Sequence, residues 1–246
     1  MLNDRLVAHR GFQKHFPENT LLAMSEAIKA GAHFLELDIQ FTADRLPILY
    51  HDPLMNRISA KHEIISNLTL EQAISCPAYE PGRLGDKYIS ETITPLTDIV
   101  ALLKSNPDVQ VFVELKTEAV EYLGIEQSYQ VIDDTLKPIA SQCILISFFT
   151  PFIEHAKNMG GYRVGIVATN FDDLASQHTQ AIAPDFVFCD KKLLPTHTPL
   201  ENYPFLLVIY EVDSGDEAKQ LFDQGADMVE TFDIGGILQQ LAHEAI

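Results

Sequence analysis

The sequence predicts an α/β fold, a (β/α)8 TIM barrel with a small insertion near its C-terminal face. Three observations carry that expectation. Short β-rich runs alternate with segments of helical period, the mark of parallel strand–helix–strand units. About eight such units fit into 246 residues, close to the ~250 residues typical of the barrel. An open, doubly wound sheet would normally carry a glycine-rich turn after its first strand, and here Gly11 stands alone.

The elements follow in order. Arg5–Ala8 reads as the first strand. Thr20–Ala30 places Leu21, Met24 and Ile28 on one helical face, and Gly31 behind it reads as the C-cap. Strands are expected at His33–Asp38 and Leu46–Tyr50. Pro53–Thr92 is too long for a simple connection. It holds a helical piece, Thr69–Ser75, and a Pro/Gly-containing loop, AYEPGRLGDK, and reads as an insertion of about 53–92 beside the barrel mouth. Strands then recur at Val109–Leu115, Cys143–Ser147, Arg163–Val167, Phe186–Cys189, Phe205–Val212 and Met228–Glu230. Between the last two, Asp216–Asp223 repeats the helical scheme, with Gly225 behind it. The whole of 1–246 is expected to form one barrel domain.

Composition bounds the function. Hydrophobic content of 46% suffices for a buried core, and the net charge of −18 argues against nucleic acid or an anionic membrane as partner. Any anionic substrate must meet local positive charge from a metal ion, basic side chains or helix N-termini. Cys76, Cys143 and Cys189 are scattered without a CxxC pair, which fits small core residues in a reducing compartment. The N-terminus has no apolar leader core, and no apolar run approaches the ~20 residues of a membrane span. The expectation is a cytoplasmic protein without membrane insertion. Homo-oligomerisation is left open.

The chemistry concentrates in a few stretches. In HFLELDIQF, Glu36 and Asp38 point to one face of a strand and Leu35, Leu37 and Ile39 to the other. Two like charges inside a barrel are costly unless a cation compensates them; incidental acids at a solvated strand end are the plain alternative. VFVELK repeats the device with Glu114 and Lys116. A third carboxylate completes an all-oxygen site, better suited to Mg²⁺ or Ca²⁺ than to zinc. Lys116 then holds phosphate oxygen, or else simply pairs with Glu114 or Glu36.

His9 and His51 end apolar runs, so both are expected at the C-terminal mouth of the barrel, where active sites form. Beside a carboxylate cluster they suit proton transfer, with zinc ligation by both as the competing reading. His33, His62, His155, His178, His197 and His243 read as packing or surface residues. Arg10 offers a planar donor fork for phosphate. Glu18, Asn19 and Thr20 precede a helix whose N-terminus favours anions, with Asn19 as the expected cap. Glu18 either orients Arg10, lies near the metal, or complements the helix dipole.

AHRG, PENT, LELD and LYHDPLMNR, in this order, resemble the glycerophosphodiester phosphodiesterases. FVELK, ITPLTDIV, ISFFT and GADMVET extend the similarity over nearly the whole chain. The resemblance implies a barrel that hydrolyses small-molecule glycerophosphodiesters to sn-glycerol 3-phosphate and an alcohol. It implies His9 and His51 as acid and base, and Glu36, Asp38 and Glu114 as ligands of one divalent cation, Mg²⁺ or Ca²⁺. Arg10 and Lys116 would hold phosphate, with Glu18, Asn19 and Asp52 in support. It further implies attack by the substrate's own 2-hydroxyl, through a cyclic phosphate that water opens. Two departures stand out. Arg57 is followed by ISAKHEI, not a TTNG-like stretch, and YEVD (Tyr210 to Asp213) replaces WTVN. Tyr210 can still supply an apolar wall with a polar tip, while Glu211 and Asp213 add negative charge that bears on the head group. A non-catalytic phosphoester-binding barrel, or a phosphodiesterase for another head group, are the competing readings.

Overall fold

The computed structural model describes residues 2–195, 200 and 203–243. Nine strands run in the order of the chain: β1 (Leu6–Ala8), β2 (Phe34–Phe41), β3 (Pro47–Leu49), β4 (Gln110–Leu115), β5 (Cys143–Ser147), β6 (Arg163–Val167), β7 (Phe186–Asp190), β8 (Leu206–Val212) and β9 (Met228–Thr231). Eight of them pair parallel in the sequence β1-β9-β8-β7-β6-β5-β4-β2, and β1 pairs back with β2, so the sheet closes on itself. This is the expected TIM-type barrel.

β3 departs from expectation. Leu46–Tyr50 was expected as a barrel strand, but β3 pairs antiparallel with β2, Ile39 opposite Leu49 and Phe41 opposite Pro47. β2 is long enough to overshoot the barrel, and the chain folds back along it as a hairpin. His51 therefore reaches the mouth by returning to it: the Tyr50 amide donates to the Asp38 carbonyl.

Strand alternation sorts the apolar side chains into two layers. Val7, Phe112, Ile144, Ile146, Val167, Phe186, Phe188, Val208 and Met228 fill the barrel interior. Phe112 meets Phe186 and Phe188 edge-on at 5.0 and 4.9 Å, a favoured geometry for aromatic pairs. Their bulk leaves no room beside β6, where a Cβ at Gly165 would sit 2.9 Å from Ile146 Cγ2. Leu35, Leu37 and Ile39 lie on the opposite face of β2, in the layer between sheet and helices.

Around the barrel, the first helix spans Leu21–Lys29 and is capped by Thr20, whose side chain accepts from the Ala23 amide. Thr20, not Asn19, is thus the N-cap; Asn19 is turned to a different task described below. Gly31 follows the C-cap Ala30 with a positive φ. The predicted Asp216–Asp223 helix spans Gly215–Gln224 and ends on Gly225, also at positive φ.

Much of the inserted segment folds on a small core of its own: Ile48, Tyr50, Met55, Ile58, Ile65, Ala73, Cys76, Ala78 and Ile93. Its predicted helical piece is Leu70–Ile74, capped by Thr69 through a reciprocal bond with Gln72. AYEPGRLGDK, expected as loop, contains a helical turn, Pro81–Leu84. From it Arg83 donates to the carbonyls of Gln13, Lys14 and Phe16, and Glu80 accepts from the Glu18 amide. The insertion therefore holds the loop after β1 in place. All three cysteines are buried with free thiols. Among the described residues no helix is long and apolar enough to cross a membrane.

The tightest backbone approach lies in that loop. Gly11 has φ +81, and a Cβ there would sit 2.6 Å from the Ala23 carbonyl carbon. Both strain and overlap forbid a side chain. Gly11→Ala is expected to cost about 2–4 kcal/mol of stability, measured by urea unfolding; an unchanged midpoint would show that the loop and first helix can separate freely.

Candidate active site

Four acids converge at the C-terminal ends of β2, β4 and β9. Glu36 and Asp38 on β2 and Glu114 on β4 point into the mouth, and Glu230 on β9 joins them; each is at least nine-tenths buried. Asp38 stands directly beside Glu114 in the parallel register. One oxygen each from Glu36, Asp38 and Glu114 lie within 4.8 Å of one another. Glu230 was not singled out in the sequence, although GADMVET contains it. Its signal was available: Glu230 lies on the same face of β9 as Met228, a barrel-interior residue, so its carboxylate faces inward.

Two basic side chains compensate part of this charge. Arg10 Nε lies 2.9 Å from Asp38 Oδ2 and Nη1 3.1 Å from Glu18 Oε1. Lys116 Nζ lies 2.7 Å from Glu114 and 3.4 Å from Asp38. Arg10 adopts φ 53, a left-handed conformation that turns its amide onto Glu36 Oε2 at 3.0 Å. Asn19, at φ 54, grips Asp38 twice: its amide nitrogen donates to Asp38 Oδ2, and its oxygen accepts from the Asp38 amide.

The charges sort accordingly. Burial works against an ionised Asp38, yet Arg10, Lys116 and the Asn19 bond hold its carboxyl well below the usual range. Burial pushes Glu36 well above it, reinforced by Asp38, Glu230 and Glu114. Glu230 is likewise raised by burial and then by Glu114, and Glu114 is raised by burial against the pull of Lys116. Among the described residues these four carboxylates face two cations, Arg10 and Lys116, which leaves an excess of two negative charges. Glu36 Oε1 and Asp38 Oδ1 are buried without a hydrogen-bond donor. A divalent cation among Glu36, Asp38 and Glu114 fits both the deficit and the all-oxygen donors.

The two histidines occupy different surroundings. His9 is buried and stacks on Phe232 at 4.8 Å, with Nε2 3.9 Å from Glu36 Oε2. Burial, then the positive charge of Arg10, keeps its imidazole neutral by lowering its pKa well below the ordinary value. His51 is half-buried, and its Nδ1 lies 2.6 Å from Asp52 Oδ1, which fixes the ring proton on that nitrogen. Among the described residues no ligand cluster joins His9 to His51, so zinc shared by the pair has no geometric support. His197 lies outside the described residues, as does the side chain of His243.

Arg57, noted in the sequence only as a point of departure, ties these parts together. It donates to both oxygens of Glu18, at 2.7 and 2.8 Å, and to both of Asp52, at 2.8 and 3.1 Å. Glu18 thus links Arg10 to Arg57, and Asp52 links Arg57 to His51. A cavity of about 200 Å³ opens above the acids, lined among others by His9, Arg10, His51, Lys116, Phe148 and Tyr210. Tyr210 is half-buried and packs on the interior cluster. Glu211 and Asp213 stand in shared ion pairs: Lys192 pairs with both Glu211 and Asp190, and Lys191 with both Asp213 and Glu217.

The arrangement invites comparison with known proteins. The profile of the glycerophosphoryl diester phosphodiesterase family matches residues 9–208. A glycerophosphodiester phosphodiesterase of Caldanaerobacter subterraneus is 34% identical over 122 residues, 50% of this chain and 49% of that protein. Human glycerophosphodiester phosphodiesterase 1 is 36% identical over 126 residues, 49% of this chain and 38% of that protein. The matched stretch thus spans about half the length, or less, of these relatives. A putative glycerophosphoryl diester phosphodiesterase from Silicibacter pomeroyi superposes with a TM-score of 0.85 at 15% identity, over 98% of this chain and 94% of that one. An Oleispira antarctica phosphodiesterase, solved with the product sn-glycerol-3-phosphate, does so at 0.83 and 18%, over 97% and 96%.

Glu18 yields a pH signature. Burial opposes its charge, but the Arg57 bonds and the Arg10 charge lower its pKa below the ordinary 4.5. The unfolded chain then binds more protons, so this stabilisation is present above pH 4.5 and lost as pH falls through the lower folded value. Arg57→Ala should cost about 1–3 kcal/mol at pH 7 and flatten the stability gradient between about pH 3 and 5. Urea unfolding across that range checks it; parallel curves would contradict it.

Proposed function

The chain belongs to the glycerophosphoryl diester phosphodiesterase family, and on that premise we propose that it hydrolyses glycerophosphodiesters to sn-glycerol 3-phosphate and an alcohol. The carrying observation is the cavity that His9 and His51 line together with Glu36, Glu114, Arg10 and Lys116. Glu36, Asp38 and Glu114 would hold one Mg²⁺ or Ca²⁺. Such an ion, when bound, offsets charge on the phosphoryl oxygens.

The chain's own groups supply the rest. Arg10 and Lys116 line the cavity and give a bound phosphate its donors, while remaining anchored to Asp38 and Glu114. A substrate hydroxyl next to the phosphate attacks phosphorus, and the phosphorus–oxygen bond to the leaving alcohol breaks. One histidine takes the proton from the attacking hydroxyl and the other returns one to the leaving oxygen. A neighbouring hydroxyl has high effective molarity, so no protein nucleophile is required. Water then opens the cyclic phosphate, with the proton traffic reversed. Asp52 keeps the His51 proton on Nδ1 and stabilises the imidazolium, leaving Nε2 to exchange protons. Asn19, Glu18 and Arg57 hold these groups in register.

Room for the leaving alcohol adjoins the site. A groove of about 510 Å³ is lined by Phe232, Gln13, Lys14, Arg83, Asp213 and Asp233, and Phe232 is the ring on which His9 stacks. Its mixed charges favour small, polar head groups.

Purified protein with saturating Mg²⁺ or Ca²⁺ should release sn-glycerol 3-phosphate from glycerophosphocholine, glycerophosphoethanolamine or glycerophosphoglycerol, and EDTA should abolish release. His9→Ala and His51→Ala should each lower kcat by about 10²–10⁴-fold with unfolding midpoints close to the parent. A folded, cation-loaded protein that releases nothing from any of the three would overturn the reading in favour of a binding barrel or another phosphoester.

A further inference from the structure

Neither the three-carboxylate cation set nor the histidine pair uses Glu230. It stands on β9 with 3% of its surface exposed, and among the described residues no basic side chain forms an ion pair with it. Arg10 is engaged by Glu18 and Asp38, and Lys116 by Glu114 and Asp38. Glu230 Oε1 is buried without a hydrogen-bond partner, and so are Glu36 Oε1 and His9 Nδ1. One donor atom each from His9, Glu36 and Glu230 lie within 4.8 Å of one another. All three residues are more than nine-tenths buried.

The geometry points to a second cation site, formed by His9, Glu36 and Glu230 and sharing Glu36 with the first. A carboxylate has two oxygens and can serve two ions at once, as in two-metal hydrolytic centres. The donor sets differ in character. Three carboxylates suit a hard cation such as Mg²⁺ or Ca²⁺, whereas an imidazole nitrogen with two carboxylates suits Zn²⁺. The first ion balances the two-carboxylate excess, so the second is the more weakly held. Its consequence rests on the role proposed above for His9: an ion that takes the imidazole lone pair stops His9 from moving a proton. Zn²⁺ at this site inhibits an enzyme that Mg²⁺ activates.

The test is Zn²⁺ binding to Mg²⁺-saturated protein by calorimetry, for the parent and for Glu230→Gln, which keeps shape and removes charge. The parent should bind one Zn²⁺ that the variant binds at least ~10-fold more weakly, and zinc inhibition of diester hydrolysis should weaken by the same factor. Anomalous scattering from zinc-soaked crystals of the parent should show an ion touching His9, Glu36 and Glu230, whatever the variant's folding. Surface pairs such as His33–Asp4 and His178–Glu154 bind alike in both proteins and drop out of the difference. Equal zinc affinity in parent and variant, or zinc density only at Asp38 and Glu114, would overturn the inference. A protein inactive on every diester with Mg²⁺ alone would fail the functional reading instead, and the zinc-binding arms would still decide this one.

Discussion

The structure turns on an excess of buried negative charge. A closed barrel brings Glu36, Asp38, Glu114 and Glu230 to one mouth, and among the described residues only Arg10 and Lys116 stand among them to compensate. Isolated buried carboxylates are too costly to keep ionised, so everything nearby serves either to neutralise them or to fix them. Arg10 takes a left-handed backbone to bring both its amide and its side chain to the acids. Gly11 then lets the chain pass against the first helix, and Asn19 clamps Asp38 from the opposite side. A strained loop in which several residues depend on the same two carboxylates is what a site pre-organised for a cation requires.

The support reaches outward in one continuous chain of ion pairs. Asp38 binds Arg10, Arg10 binds Glu18, Glu18 binds Arg57, Arg57 binds Asp52, and Asp52 binds His51. Arg57 belongs to the insertion, whose own apolar core packs against β3 through Ile48. The insertion therefore contributes to the site twice, by orienting His51 and by holding the loop after β1 through Arg83 and Glu80. His51 and Asp38 are connected through this path.

Much of this was legible in the sequence, because strand alternation is a strict rule. LELD put Glu36 and Asp38 on one face, VELK put Glu114 near Lys116, and the eight parallel strands lie within a few residues of where apolar runs predicted them. What failed was non-local. PIL has the composition of a barrel strand, and only pairing distinguishes a parallel neighbour from the returning arm of a hairpin. Asn19 carries the side chain of a good helix cap, yet Thr20 beside it is equally able, and Asp38, nineteen positions away, decided between them. Glu230 and Arg57 look like ordinary strand and surface charges until the barrel closes around one and the insertion folds over the other. Glu211 and Asp213 share with Asp190 and Glu217 two lysines that follow β7, a pairing that no local pattern shows.

On the function proposed, a divalent cation, and not proton uptake, offsets the charge of Glu36, Asp38 and Glu114. Thermal unfolding of EDTA-stripped protein, titrated with Mg²⁺ and with Ca²⁺ at pH 7.5, tests it directly. The account predicts a saturable rise in unfolding temperature, about 2.7 kcal/mol of stabilisation at a hundred times the dissociation constant, that Glu114→Gln reduces. An unfolding temperature indifferent to either ion would contradict it.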